Sequence, residues 1–383
     1  MKNQILALYI AACTLMVLFG NSTAQAQRSI NKEAIWKEIA PFFEPPAAYA
    51  NEFGPFASVL VDGQGKAIQH KKEWQKQRKA IRDKWMNQMG QWPDYIQNQH
   101  LKVLSSTAKD GYTEQEVSFR WLPDQETRGY LLIPEGKGKK PAVITVFYEP
   151  ETAVGKGKED RDFALQLVKE GFVCLSLGTT ETTNNKTYSL YYPSIEKARI
   201  QPLSTLAYAA ANAWYALAKH KAVDAKRIGI MGHSYGGKWA MFASCLFDKF
   251  ACAVWSDPGI VFDETKGSGV NYWEPWYLGY YPPPWTNAWR KTGMIPEAQG
   301  LYPQLMKAGQ DLHELHALMA PRPFLVSGGS SDLIDRWVPL NHSIHLNKFL
   351  GYNNRVAMTN RVEHSPNKLS NRQMRLFFQY FLM

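Results

Sequence analysis

The sequence is short of cysteine, of acidic residues and of long apolar runs, and each shortage removes a class of protein. Four cysteines stand among 383 residues, and one of them, Cys13, lies in the N-terminal apolar stretch. The other three, Cys174, Cys245 and Cys252, are an odd number in apolar surroundings, which excludes a fully paired disulfide scaffold. They read as small buried hydrophobes, with a Cys245–Cys252 pair left open. Asp and Glu total 34 against 44 Lys and Arg, for a formal net charge of +10. Runs such as KKEWQKQRKAIRDK (71–84) hold much of that excess. Their apolar positions recur at helical spacing, so the charges read as one solvated helix face rather than a nucleic-acid surface. A basic surface also suits an anionic polysaccharide. Neither repeats nor signs of disorder are present, and 45% hydrophobic residues are ample for a core.

The one sustained apolar run is N-terminal. It extends from about Ile5 to Phe19, follows Lys2, and is succeeded by the small-x-small triplet Ala24-Gln25-Ala26. This pattern predicts a secretory leader, residues 1–26, cleaved after Ala26. The run is short for a membrane span and has no stop-transfer charges, so no stable membrane insertion is expected after cleavage. Cys13 sits too early for a lipoprotein box. A periplasmic or secreted location follows as an expectation.

Beyond the leader the pattern changes twice. Residues 27–115 read as a helical and irregular extension, with a helix over 72–89 stopped by GQWP (90–93). From 116 to 383 strands and helices alternate. EVSFRWL (116–122) and TRGYLLIP (127–134) read as a strand pair, and AVITVFY (142–148) as a buried strand. FVCLSL (172–177), RIGIM (227–231), ACAVWS (251–256), PRPFLVSG (321–328) and RVAMTN (355–360) read as further strands between helical segments. This alternation predicts an α/β fold with a mostly parallel central sheet flanked by helices. The loops that carry chemistry then lie at the C-terminal ends of the strands. Residues 257–320, after the sixth strand read here, break the rhythm with an aromatic-rich excursion expected near that site.

Gly232-His233-Ser234-Tyr235-Gly236 has G-x-S-x-G spacing between the strand RIGIM and a helix. That context suits a sharp strand-to-helix turn that lifts a serine hydroxyl from the sheet end, with small residues on either side to avoid clashes. A serine hydroxyl needs a base. His364, in a short loop after the last strand, is the candidate. His233 is expected to pack or support, and His342 and His345 lie within a helical segment. His313 and His316 have helical spacing without a third ligand, so no metal and no cofactor are expected. The base needs a carboxylate to orient it. Asp332, in GGSSD just beyond a strand end, is the first choice, with Asp335 and Asp257 as alternatives. Two backbone N–H groups should receive the oxyanion: that of Tyr235 and that of Glu149, with Tyr148 as alternative.

On GHSYGG around Ser234, GGSSD ending at Asp332 and EHSP containing His364, the chain resembles the α/β-hydrolase superfamily over 116–383. Within it the chain resembles secreted bacterial acetyl xylan esterases, dienelactone hydrolases and prolyl-oligopeptidase-like hydrolases. GHSYGGKWA is also similar to glucuronoyl esterases, whose nucleophile is followed by a lysine that contacts uronate hydroxyls. Lys238 matches that place, whereas Tyr235 stands where those enzymes usually carry arginine. The resemblance implies a serine hydrolase working through an acyl-enzyme. Trp273, Glu274, Trp276, Tyr277, Tyr280, Tyr281 and Trp285 make the excursion dense enough in aromatics to pack on sugar rings, with Glu274 or Lys238 bonding hydroxyls. Self-packing of the excursion is the competing reading. The expected function is therefore a carbohydrate esterase acting on a saccharide-linked ester. A general carboxylesterase or dienelactone-type hydrolase, and a prolyl-oligopeptidase-like serine peptidase, are the alternatives.

Overall fold

A computed structural model describes residues 31–185, 187–263, 265, 272, 274, 276–279 and 300–383. The expected leader lies outside the described residues. Nine strands form one sheet: β1 (Lys102–Lys109), β2 (Tyr112–Leu122), β3 (Gln125–Pro134), β4 (Lys140–Phe147), β5 (Val173–Gly178), β6 (Val223–His233), β7 (Ala253–Ser256), β8 (Phe324–Gly328) and β9 (Val356–Asn360). Their order is β1-β2-β3-β5-β4-β6-β7-β8-β9. The pairs β1/β2, β2/β3 and β3/β5 are antiparallel, and every pair from β5/β4 to β8/β9 is parallel. The continuous apolar runs of β4 to β8 are explained by this order: those strands are covered on both faces.

The two faces carry separate cores. Ala142, Ile144 and Val146 of β4 belong to one cluster and Val143 to the other, as a side-chain period of two requires. The first core receives α5 (Pro202–Ala218) and α6 (Tyr235–Leu246), and every residue of α6 is buried. The second receives α3 (Phe163–Lys169) and α10 (Lys368–Leu382). Helix α10 begins four residues after His364. It is started by a reciprocal cap in which Ser370 N–H donates to Asn367 Oδ1 and Asn367 N–H donates to Ser370 Oγ, both at 2.9 Å.

The extension contains α1 (Lys32–Ile39), α2 (Lys71–Met89) and, between α2 and β2, the strand β1. Helix α2 buries Trp74, Ile81, Trp85, Met86 and Met89 and leaves its lysines on the outer face as the spacing predicted, while Arg78 and Arg82 turn inward to the Leu318 and Leu246 carbonyls. It ends at Gly90, whose φ of +93° and position against Arg199 exclude a side chain: a Cβ there would lie 2.1 Å from the Arg199 carbonyl oxygen. Arg78 pairs with Asp248 at 2.6 Å, and Trp85 Nε1 donates to Glu314 at 3.0 Å. The short helix α4 (Thr180–Asn184) and α7 (Leu301–Lys307) border the remaining loops. Strand β1 lies within the stretch read as helical or irregular. All eight of its residues are exposed, so it has no apolar alternation to betray it. The three cysteines are free and buried, so Cys245 and Cys252 do not pair.

The histidines outside the site serve the packing. On α9 (Trp337–Leu350), His342 Nε2 lies 3.0 Å from the Phe53 carbonyl, and His313 Nε2 on α8 (His313–Ala317) lies 2.8 Å from the Ala57 carbonyl. His316 is wholly buried, 5.2 Å from the Trp255 ring, and neither ring nitrogen has a hydrogen-bond partner among the described residues. Burial holds its pKa down to about 3, against an ordinary 6.5. The unfolded chain therefore takes up a proton below pH 6.5 that the folded chain refuses, and stability falls as the pH drops towards 3. Replacing the ring by an apolar one removes that dependence. Relative to its own value at pH 7.5, wild type should lose about 2 kcal/mol more than His316→Phe at pH 5, measured by urea unfolding of both at each pH.

Candidate active site

The turn from β6 into α6 sets the site. Ser234 has φ +56° and ψ −116°, a conformation that non-glycine residues rarely hold and that the surrounding structure must impose. Its N–H donates to the Ser256 carbonyl at 2.8 Å, and its own carbonyl accepts the Lys238 N–H at 3.0 Å to begin the helix. The flanking glycines are needed for space. A Cβ on Gly232 would sit 2.2 Å from the Gly236 carbonyl oxygen, and one on Gly236 would sit 2.0 Å from the Val146 carbonyl oxygen. The end of β4 thus lies directly against the start of α6.

His364, in the loop after β9, reaches this turn. Its Nε2 lies 2.8 Å from Ser234 Oγ and its Nδ1 lies 2.5 Å from Asp257 Oδ2. Ser331 Oγ approaches Nδ1 at 3.3 Å. An ionised Asp257 can only accept, so Nδ1 carries the proton and Nε2 is free to accept from the serine hydroxyl. The carboxylate that meets His364 is therefore Asp257, at the end of β7, and not Asp332. Asp332 is fully buried at the end of β8, and its two oxygens accept the N–H groups of Gly259 at 2.8 Å and Ile260 at 2.7 Å. Asp335 lies further round, half exposed, with Arg336 Nη1 3.4 Å away. Strand β7 is the direct neighbour of β6, whereas β8 is one strand further out. Asp257 also has φ +50°, which turns its side chain back over the sheet end.

Burial works against ionisation of Asp257. The hydrogen bond from His364, the charges of His364 and Arg361 and the Ser331 N–H outweigh it, and the pKa is lowered. Arg361, which the sequence reading did not single out, binds the base loop together. It donates to the carbonyls of Ser327 and Gly328, at 2.8 and 3.2 Å, and to those of His364 and Ser365, at 2.6 and 2.8 Å. The only hint of it in the chain is an arginine three residues before the histidine. His233 lies beside the site, its ring tilted 43° to that of His364 at 4.7 Å and its Nδ1 3.1 Å from Ser256 Oγ. Burial holds its pKa well below the ordinary value, so it is neutral.

The residues expected to bind substrate are mostly enclosed. Lys238 is buried beneath the loop after Asp257, its ammonium bonded to the Pro258 carbonyl and 4.2 Å from the centre of the Tyr272 ring. Burial lowers its pKa, against the opposing pull of Asp332 and Asp257. Glu274, Trp276 and Tyr277 are buried too, and the rings pack on one another and on Tyr188 and Tyr235. The self-packing reading describes these three. Trp273, Tyr280, Tyr281 and Trp285 lie outside the described residues. Tyr148 stacks on Tyr235 with ring centres 4.3 Å apart, and Glu149 is half-buried beside it. Burial pushes the Tyr148 hydroxyl up to about 12, so it stays protonated and can donate.

Comparison with known proteins bears on the fold. The fold is that of the α/β-hydrolases. A glucuronoyl esterase from Solibacter usitatus matches 86% of this chain and 98% of its own, at 16% identity and a TM-score of 0.65. A promiscuous esterase of carbohydrate esterase family 15 from a marine bacterial metagenome matches 88% and 100%, at 14% identity and a TM-score of 0.62. A glucuronoyl esterase from Sporotrichum thermophile matches 88% and 91%, at 14% identity and a TM-score of 0.55. Residues 209–359 match the prolyl oligopeptidase family, a span that includes Ser234, Asp257 and Asp332 and stops before His364. No curated protein matches the sequence. Among the described residues, no helix is long and apolar enough to cross a membrane.

The contact between β4 and α6 can be tested directly. Gly236→Ala should cost upwards of about 3 kcal/mol in urea unfolding, because its Cβ meets backbone that cannot give way. Gly63→Ala, where a Cβ would meet nothing within 4 Å, should stay within about 0.5 kcal/mol of wild type.

Proposed function

We propose that this protein is a serine-dependent carboxylic ester hydrolase that works through an acyl-enzyme, and that its substrate is a saccharide-linked ester. One observation carries the hydrolase reading: Ser234 Oγ, His364 and Asp257 form a continuous hydrogen-bonded chain at 2.8 and 2.5 Å. His364 takes the hydroxyl proton as Ser234 attacks the ester carbonyl, and Asp257 stabilises the imidazolium that forms. The tetrahedral oxyanion is received by the N–H of Tyr235, at the open start of α6, together with the N–H of Glu149 or Tyr148 at the end of β4. Collapse expels the alcohol, which takes the proton from His364. A water then gives its proton to His364 and attacks the acyl group, and the acid leaves as Ser234 is restored.

The saccharide part of the proposal is supported by likeness of fold to carbohydrate esterases. Release past a leader ending at Ala26 would bring the enzyme to polysaccharide outside the cytoplasm. Lys238 gives this reading no help in the arrangement described, since its ammonium is already held by Pro258. The prolyl oligopeptidase family match favours a second reading, a serine peptidase. Likeness of fold to carbohydrate esterases over 86–88% of the chain favours the ester.

Ser234→Ala should abolish turnover of 4-nitrophenyl acetate and leave the folded signal intact. Asp257→Asn should lower kcat by about 10³- to 10⁴-fold. Among acetylated xylan, a benzyl ester of methyl glucuronate and a prolyl peptide, one of the two saccharide esters should be turned over fastest. Cleavage of the peptide alone would favour the second reading. Wild-type activity in Ser234→Ala would reject both.

A further inference from the structure

Two carboxylates, Asp257 and Asp332, lie at the ends of neighbouring strands, and each is bound by the other's loop. Asp257 Oδ1 accepts the N–H groups of Gly329 at 2.6 Å, Ser331 at 3.2 Å and Asp332 at 2.8 Å, all in the loop after β8. Asp332 accepts the N–H groups of Gly259 and Ile260, in the loop after β7. The arrangement is reciprocal: the acid on each loop satisfies the backbone donors of the other. Neither loop is a regular element; the Asp332 N–H also reaches the Gly329 carbonyl at 3.2 Å, but the N–H groups of Gly259, Ile260, Gly329 and Ser331 rely on these carboxylates.

The clamp leaves little freedom to Asp257. Its N–H donates to the Ser327 carbonyl at 3.0 Å, and the next carbonyl, that of Pro258, is taken by Lys238. Asp332 is fixed in turn: Asn360 Nδ2 donates to its carbonyl at 2.9 Å, and a Cβ on Gly328 would lie 2.3 Å from that carbonyl oxygen. Asp257 must hold φ +50° to aim its second oxygen at His364. That conformation is unfavourable for a residue with a side chain, and contacts elsewhere have to enforce it.

We propose that Asp332 is a positioning residue whose carboxylate fixes residues 259–260 and so holds Asp257 in line with His364 Nδ1. Asp332 touches none of the reacting atoms. Its effect on turnover runs through Asp257 and rests on the ester-hydrolase reading, whereas its effect on the His364–Asp257 bond does not.

The test uses Asp332→Ala and Asp332→Asn in the full chain, with Asp257→Asn as the control that removes the acceptor itself. Two quantities are read: kcat and KM with 4-nitrophenyl acetate, and the far-downfield proton resonance of His364 Nδ1–H by NMR without substrate. The expected result is a kcat about ten- to a hundred-fold lower in both Asp332 variants, with KM within about twofold, the size of loss that a small misplacement of a catalytic group produces. The resonance should be present in wild type, absent in Asp257→Asn, and lost or broadened in both Asp332 variants. Asp332→Asn keeps the shape and one acceptor oxygen, so it carries the measurement where the alanine variant does not fold. A resonance unchanged in both variants, a kcat within twofold of wild type, or a wild type with no such resonance overturns the proposal. A wild type that shows the resonance but hydrolyses no ester sinks the ester reading and leaves the clamp standing.

Discussion

The contact on which the site depends is between two pieces of backbone: the start of α6 lies so close to the end of β4 that position 236 has no room for a side chain. This contact fixes the angle at which the helix leaves β6, and with it the left-handed turn at Ser234. Helix α6 is buried along its whole length, so moving it would disturb the largest core of the protein. The strain at one serine is therefore held by packing spread over dozens of side chains. A turn with the same dihedral angles on an exposed loop would relax, because a few kcal/mol of strain is comparable to the stability of a loose segment.

Around that turn the structure buries charge only where it can be answered. Asp257 faces His364 and Arg361 and receives backbone donors from the β8 loop. Asp332 receives two N–H groups, with Arg336 Nε 4.0 Å away. Lys238 has the Pro258 carbonyl and the faces of two tyrosines. An ion enclosed without such partners would lose several kcal/mol of hydration. Burial raises the pKa of Asp332, and the nearby charge of Asp257 adds to the effect. Having two carboxylates so close is costly, and it is tolerated because each also ties down the other's loop. The arrangement gives rigidity to a part of the chain that has no helix or strand to supply it.

The fold was largely legible in the chain because its central strands are buried on both faces and its helices are strongly patterned. What could not be read was β1, whose eight exposed residues carry no period. The pairing of Ser234 with His364 was legible for a different reason. Gly232 and Gly236 mark a steric requirement that few other residue types could meet, and His364 follows directly on a strand end. The acid was less so. Asp257 and Asp332 each stand just past a strand, and residue type and spacing treat them alike. The aromatic excursion left two readings open for a similar reason: Trp276 and Tyr277 are as dense as a binding surface would be, but density says nothing about which way the rings face. Arg361 leaves almost no signal, since its contacts are with backbone carbonyls that any sequence would provide.

What separates the two acids is conformational. At the sheet end, the loops after β7 and β8 run side by side, and each offers a carboxylate to a small shared space. His364 can meet only one of them, because its ring must also reach Ser234. Strand β7 pairs directly with β6, so Asp257 starts one strand spacing, about 5 Å, nearer to the serine than a residue after β8. Its positive φ then turns the side chain towards the ring, while Asp332 turns under the neighbouring loop. The choice of acid thus lies in backbone dihedral angles that no side chain advertises. It follows that the loop holding those angles is as much a part of the site as the carboxylate it presents.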